Sequence, residues 1–562
     1  MNTKFNITSI LNNATNLTDI FKFYRNNHPE KEFLFSKIEK EWLGQSFQKT
    51  NFIINKLVSF FQSVGLKKGE RVFLLSSNRK EWVEFDIAIM LAGGVSVPSF
   101  VTNNVSDNQF IVKNSKPKII ILEDEKIYKQ NYVFLKNFNQ KRIVSINKSD
   151  NLISYKFIIS KKEKTNHLPK LKSEDISTII YTSGTSGNPK GVVLSHKALL
   201  HNLRASLDIL SDFKITHERF LSFLPLSHSY ERMAGLYFPM LIGGEIYFCT
   251  SLEKLLSEIK EVKPTIFSAV PRLYENIYKK IRGQMKSTDK FKSFIISIIF
   301  NGIDKNRGYL NYLIVKILID LFLKKQIKNV FGGKVKALIS GGAALSPKIG
   351  FFFNKMGLEL LQGYGQTEAA PLISCNLRNQ NEPSSVGFPV KNVEVKISED
   401  NEILVKGDNV MLGYWKNSKL TKETLIDGWL YTGDLGYFDK IGRLIINGRK
   451  KDLLVTSGGD NISVQKIETK LTENIEITQA VIFGDNKPYL VGLVVVNDRI
   501  SSQQVKKIIN NLNKSLNSIE KIRKFIIVDK PLTYEDGYLT QTQKIKRDEV
   551  FKGFSDEINK LY

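Results

Sequence analysis

Short apolar runs recur along this chain at a spacing that leaves room for one helix between them, and that rhythm limits the fold more than any other feature. Residues 70 to 125 contain RVFLLSSN, EWVEFDIAIMLAGG, VSVPSF and PKIIILED in that order. The first, third and fourth are of strand length, and the second is long enough for a helix. Strands alternating with helices build an α/β layer. A second rhythm starts at ISTIIYTSGTSG and passes through RFLSFLPLSHS, GGEIYFCTS and PTIFSAVP to KVKALISGGAAL. Past residue 385 the pattern turns to strand alternation, VEVKISEDNEILVKGDNVMLGYW, which marks a small β unit.

The stretch GRKKDLLVTSGGDNIS, residues 448 to 463, puts a basic run before a double glycine, and the residues beyond carry helix and strand signals of their own. This predicts a division into 1–449 and a mobile C-terminal domain, 450–562, hinged at Lys450 and Lys451. The expected fold is therefore α/β: a large N-terminal domain of two α/β subdomains plus a small β unit, hinged to a small α+β C-terminal domain.

Length and composition, 562 residues of which 42% are hydrophobic, fit several buried cores and exclude a disordered chain. Two cysteines, Cys249 and Cys375, exclude a disulfide scaffold and a metal cluster, and both read as small core residues. The first residues lack the apolar run of a signal peptide, and nothing downstream approaches the roughly 20 uncharged apolar residues of a membrane span. A cytoplasmic protein is expected. The net charge of +26 fits nucleic acid, an anionic membrane or polyanionic small molecules. Its lysines are scattered, with neither zinc-finger spacing nor an RNP-like aromatic motif, which disfavours nucleic acid. FKSFIISIIF and YLNYLIVKILIDLFLKKQIKNVF, between residues 290 and 330, read as apolar helices interrupted by Lys316 and Asp320. Together with the basic charge they suggest a salt-sensitive peripheral contact with the inner face of a membrane. Oligomeric state is not encoded in any of these patterns.

The glycine- and hydroxyl-rich stretch YTSGTSGNPKG begins at Tyr181. It is not a Walker A loop, because Lys190 follows Pro189 and precedes Gly191. An apolar strand nonetheless leads into a turn of small residues where backbone N–H groups, hydroxyls and the Lys190 ammonium form a nest for phosphate oxygens. Taken alone, the same pattern also describes an ordinary turn.

Four further segments occur in order: GYGQTE (363–368), YTGDLG (431–436), GRKKD (448–452) and QKIKR (543–547). With YTSGTSGNPKG they resemble the conserved blocks of the adenylate-forming superfamily of acyl-CoA synthetases, nonribosomal adenylation domains and luciferases. LPLSHSYER (224–232) and DGWLYTGDLGYFDKIGRLIINGRKKD (427–452) are similar to segments of long-chain fatty acyl-CoA synthetases. The resemblance implies ATP-dependent activation of a long-chain fatty acid to an acyl-adenylate with release of pyrophosphate, then transfer to coenzyme A. Two alternatives stay open: delivery of the acyl group to a carrier protein, and a noncatalytic binding protein on the same fold.

The resemblance also implies roles. Thr182, Ser183, Gly184, Thr185, Ser186, Gly187 and Lys190 would hold the ATP phosphates, and Glu368, beside Thr367, would hold Mg²⁺ as a hard oxygen ligand. Gly341, Gly342 and Ala343, with Tyr364 and Gly365, would form the adenine slot. Asp434 would accept from the ribose hydroxyls, with Arg449 donating to the same sugar. His228 would orient the acyl carboxylate, while His196 and His201 are expected to be structural. Gly458 and Gly459, in SGGDNIS, would line the pantetheine channel. Lys544 would serve adenylation, although Gln543 stands where the family commonly has glycine. SAVPRLYENIY and the apolar helices would wall the acyl tunnel. A serine hydrolase is disfavoured: the chain has no G-x-S-x-G elbow, and Ser227 and His228 are adjacent, so their side chains diverge.

Overall fold

The strand-length runs RVFLL, VSVPS and IIIL become strands Arg71–Leu75, Val95–Ser99 and Ile119–Leu122, and the run between the first two becomes helix Lys80–Leu91. The computed structural model describes residues 3–162, 167–182, 188–286, 324–457, 461–474, 476–496, 500–539 and 545–562. Ser183 to Gly187, Gly458, Gly459, Lys544 and most of the apolar stretch at 290–330 lie outside the described residues.

One sheet runs, in spatial order, Gly413–Tyr414, Lys190–Ser195, Ile176–Thr182, Val95–Ser99, Arg71–Leu75, Ile119–Leu122, Ile143–Ser145 and Ile153–Ser154. From Ile176–Thr182 onward its strands are parallel, so both faces must be covered. Helix Lys80–Leu91 is buried almost all round for that reason. A second sheet orders Ile266–Ala269, Ala337–Ser340, Glu359–Gly365, Leu372–Cys375 and Phe388–Pro389, its first three strands parallel. Between residues 176 and 340, however, the second rhythm does not form one layer. Ile176–Thr182 joins the first sheet beside Val95–Ser99, whereas Arg219–Ser222 and Glu245–Phe248 pair with the hairpin Glu32–Ile38 and Glu41–Ser46 in a small sheet. Periodicity reports which residues face the core, and it is silent on which strand lies alongside.

The expected β unit is an antiparallel sheet built from Val393–Ile397, Glu402–Gly407, Trp429–Phe438, Leu425–Ile426 and Leu444–Arg449. Beyond it, Ile477–Phe483, Leu490–Val496 and Ile522–Val528 form the C-terminal sheet. Its residues alternate as the pleat requires. Ala480, Ile482 and Val494 pack with Ile467 and Leu471 of helix Val464–Thr472, while Val481, Phe483 and Val495 pack with Val550 and Ile558. This is an α+β unit with helices on both faces. Cys375 is buried as expected; Cys249 is half-exposed, and burial pushes its thiol up to about 12, so it is inert at neutral pH.

Candidate active site

Strand Ile176–Thr182 leads into the glycine-rich segment and the chain returns antiparallel as Lys190–Ser195, with Thr182 paired opposite Lys190. Thr182, Pro189 and Lys190 border a cleft of about 1520 Å³. The second sheet reaches the same cleft at the end of strand Glu359–Gly365. There the Gln366 N–H donates to the Pro371 carbonyl at 2.9 Å, closing a tight turn. A Cβ on Gly365 would lie 1.8 Å from that carbonyl oxygen, so only glycine fits. The fully buried Asn202, on helix His196–Ile209, fastens the turn at both ends. Its amide donates to the Ala369 carbonyl at 3.2 Å, and its oxygen accepts from the Leu372 N–H at 2.7 Å.

Glu368 is held between these anchors. The Tyr414 hydroxyl donates to Glu368 Oε1 at 2.9 Å, and Lys190 Nζ lies 5.8 Å from the Tyr414 ring centre. Burial, then the nearby Lys451, hold the Lys190 ammonium below its usual range, and Glu368 opposes them. Thr367 is buried, its hydroxyl 3.1 Å from that of Ser229. Tyr414 and Ser229 escape a reading by motif. The signals for them are GYW at 413–415, an aromatic just after a strand-forming glycine, and the serine that follows His228 in LPLSHSYER.

On the β unit, Asp434 and Arg449 are cross-strand partners in register. Arg449 Nε donates to Asp434 Oδ1 at 2.8 Å, and the Tyr364 hydroxyl donates to Oδ2 at 2.8 Å. Tyr364 and Arg449, expected at the base and the sugar, thus both engage the Asp434 carboxylate, each oxygen of which can accept a further bond. Asp434 in turn raises the Arg449 guanidinium above its usual range.

Gly341 and Gly342 line the cleft, with the Tyr230 ring 3.1 Å from where a Gly341 Cβ would sit. Ala343 is exposed beside them. His228 also lines the cleft, its Nδ1 accepting from the Tyr230 N–H at 3.2 Å and its ring centre 6.5 Å from that of Phe100. His196 is buried and accepts from the Leu17 N–H at 3.4 Å; His201 is buried on the same helix. Lys450 Nζ reaches Asp400 at 2.5 Å and Glu402 at 3.2 Å. Lys451 lines the cleft, and so do Ile545 and Lys546 from the C-terminal unit.

The arrangement can hold a polyanion and a sugar side by side. Lys190, Lys451 and Arg449 bring positive charge to the cleft, Asp434 is an acceptor bonded to Arg449 and next in the chain to the lining residue Gly433, and Glu368 offers a hard oxygen of the kind that Mg²⁺ takes. Among the described residues no group of three or more His, Cys, Asp or Glu is placed to hold a metal by itself. One carboxylate suits an ion that keeps its water and phosphate ligands. Met233, Phe238, Ile209, Leu210, Phe220 and Ile266 line the same cleft, all of them buried and apolar.

Known proteins agree with this anatomy. Residues 21–415 match the AMP-binding enzyme family, and residues 451–562 match the AMP-binding enzyme C-terminal domain. The long-chain-fatty-acid–CoA ligase FadD15 of Mycobacterium tuberculosis is 30% identical over 538 residues, covering 89% of each chain. Long-chain-fatty-acid–CoA ligase 5 of Mus musculus is 30% identical over 567 residues, 89% of this chain and 81% of that one. The crystal structure of the anthranilate CoA ligase AuaEII in complex with anthranoyl-AMP shares the fold, with a TM-score of 0.78 at 19% identity over 96% of this chain and 97% of that chain. A cationic cleft bordered by both sheets, and a family match that spans most of the chain, lead to one conclusion: this protein belongs to the AMP-binding enzyme family.

Proposed function

We propose that the protein is a long-chain fatty acid–CoA ligase: it activates the acid with ATP to an acyl-adenylate, releasing pyrophosphate, and passes the acyl group to CoA, leaving AMP. The observation that carries this reading is a single cleft whose one region is cationic and hydroxyl-rich and whose other region is buried and apolar. A carboxylate is a poor electrophile, so the nucleotide must be gripped while the acid attacks its α-phosphorus, and fixed charge is the means. Thr182, Lys190 and the glycine-rich segment 183–187 grip the phosphates. Glu368 would hold Mg²⁺, which would supply neutralising charge to the phosphates. Asp434 accepts from the ribose while Tyr364 and Arg449 keep its carboxylate in place, and Gly341 with Gly342 leaves room for the flat base. His228, with its Nδ1 turned to the Tyr230 N–H, orients the acyl carboxylate. The buried apolar region takes the chain, each methylene contributing about 0.8 kcal/mol.

Lys544 brings a point charge to the reacting phosphate, and Gly458 and Gly459 line the path of pantetheine; both assignments rest on the sequence blocks. The neighbouring Ile545 and Lys546 in the cleft support the first. The division into 1–449 and 450–562 is supported by the end of strand Leu444–Arg449 and by the family boundary at 451. The cytoplasm, with peripheral contact to a membrane, is the proposed location; no helix among the described residues is long and apolar enough to cross a bilayer. The test is an ATP-dependent thioester assay across fatty acids of graded length, with CoA and a holo carrier protein as competing acceptors. Long acids and CoA should give thioester, AMP and pyrophosphate. Release of ADP would overturn the family mechanism, and a best substrate of acetate or an amino acid would overturn the chain-length assignment.

A further inference from the structure

Helix Phe47–Ser63 buries Phe47, Thr50, Ile53, Ile54, Leu57, Val58 and Phe61 against the large core, which accounts for one face. Its opposite face breaks the usual pattern. Phe52 is 51% exposed there, flanked by the Lys49 and Lys56 ammonium groups at 5.6 and 4.7 Å from its ring centre. The short helix Tyr155–Ser160 repeats the arrangement next door: Phe157 is 52% exposed, with Lys161 Nζ 4.3 Å from its ring centre. The two units are tied together, because Lys56 Nζ donates to the Lys161 carbonyl at 2.7 Å. Neither helix contains an aspartate or glutamate, and Lys156 and Lys162 add exposed positive charge at the same edge.

Two exposed phenylalanines beside clustered lysines present two features to match: apolar rings and a concentration of positive charge. Water hydrates the ammonium groups but leaves the rings unmatched. An anionic bilayer surface satisfies both at once, since rings enter the acyl boundary while ammonium groups stay with the headgroup phosphates and lysine stems span the difference. We propose that this face, Phe52 and Phe157 with Lys49, Lys56 and Lys161, docks the protein on anionic membranes. None of these residues lines the active-site cleft, and the surface uses a local concentration of the charge that is otherwise spread over the chain. Docking here holds the enzyme where long-chain acids partition, but the inference stands on the surface alone and does not require the proposed reaction.

The test is co-sedimentation of the full chain with vesicles of phosphatidylglycerol and phosphatidylcholine, or of phosphatidylcholine alone, at low and high salt. The protein should bind the anionic vesicles at low salt, release at high salt, and ignore neutral vesicles. The pair Phe52→Ser and Phe157→Ser should reduce binding by about tenfold or more, from the lost ring insertion. Lys49→Glu with Lys161→Glu should do the same, from the reversed charge. Lys506→Glu with Lys507→Glu changes the net charge equally on an exposed helix of the C-terminal unit and should leave binding unchanged. All six substituted positions are exposed, so thermal unfolding should stay at the parent value in every variant. Equal loss in the Lys506/Lys507 pair would assign binding to bulk charge and overturn the proposal. Equal binding to neutral vesicles would overturn it too. Capture by immobilised polyglutamate that needs both phenylalanines, without vesicle binding, would give the surface to an acidic protein instead.

Discussion

The segment SYER holds two charged neighbours, Glu231 and Arg232, and the structure gives them quite different partners. Arg232, although buried, gives its guanidinium to Asp86 and to the Thr178 hydroxyl at 2.8 Å, while Tyr237 donates to the other Asp86 oxygen at 2.8 Å. Asp86 lies 146 residues earlier in the chain. Spacing cannot reveal such a partner, because the sheet brings the two together. Glu231 is left with the Ser222 hydroxyl, which donates to Oε1 at 2.7 Å, and its Oε2 has no hydrogen-bond partner. Burial then pushes its carboxyl from an ordinary 4.5 up to about 8. The sign follows. Between those values the folded chain keeps a proton that the unfolded chain releases, so the stabilisation is whole below about 4.5 and is lost as pH rises through 8. Glu231→Gln removes this titration. In chemical denaturation the variant should gain on the parent by a few kcal/mol as pH rises from 5 to about 8, at a steady slope, and should gain nothing more above that. A stability difference that is constant with pH would show that Glu231 is ionised in the folded protein.

At the scale of elements, nearly every strand-length run became a strand, whereas sheet membership was not legible. Lys190–Ser195 illustrates the limit: it returns antiparallel beside an otherwise parallel sheet and carries Gly413–Tyr414 on its far edge. That pairing, across some 220 residues, is what puts the Tyr414 phenol between Lys190 and Glu368. The sequence blocks named Lys190 and Glu368 because the chemistry needs a cation and a carboxylate. They could not name Tyr414, whose part comes from strand order alone. The turn after strand Glu359–Gly365 is legible in another way, since the glycine at 365 marks a close backbone approach. Gly365→Ala should force the Pro371 carbonyl to move, because a Cβ 1.8 Å from a backbone oxygen has no flexible neighbour to displace. The cost should be about 1–3 kcal/mol. Since Thr367 and Glu368 ride on that turn, adenylation should also fall, with a raised KM for Mg·ATP. An unchanged melting temperature and KM would mean that the turn yields freely.

At the scale of the whole molecule, hydrogen bonds among the described residues hold the C-terminal unit to the rest of the chain on two sides, apart from the proposed hinge. Ser346 donates to Glu473 at 2.6 Å and Lys279 Nζ to the Ile477 carbonyl at 3.3 Å on one side; on the other, the Tyr534 hydroxyl donates to the Thr102 carbonyl. Near that second contact, burial raises the Asp107 carboxyl and Lys546 opposes the rise. Lys546 also lines the cleft. Ile545 and Lys546 share the cleft with Lys190 and Glu368, as the proposed adenylating step requires, and the proposed rotation about Lys450 and Lys451 would have to break both contacts before a different face could serve thioester formation. Tyr534→Phe with Ser346→Ala removes one bond from each contact. At about 0.5–1.5 kcal/mol apiece, the population of the pose should fall by roughly five- to a hundredfold. Adenylation, read by pyrophosphate release, should fall with it. Conversion of supplied acyl-adenylate and CoA to thioester should hold or rise, because that step draws on the other pose. Lys544→Ala should also abolish adenylation and spare the thioester step, but for a chemical reason, so a fluorescence distance between the two units should shift in the double variant and stay at the parent value in Lys544→Ala. If the double variant slows both half-reactions equally, these contacts support the fold and not the choice between poses.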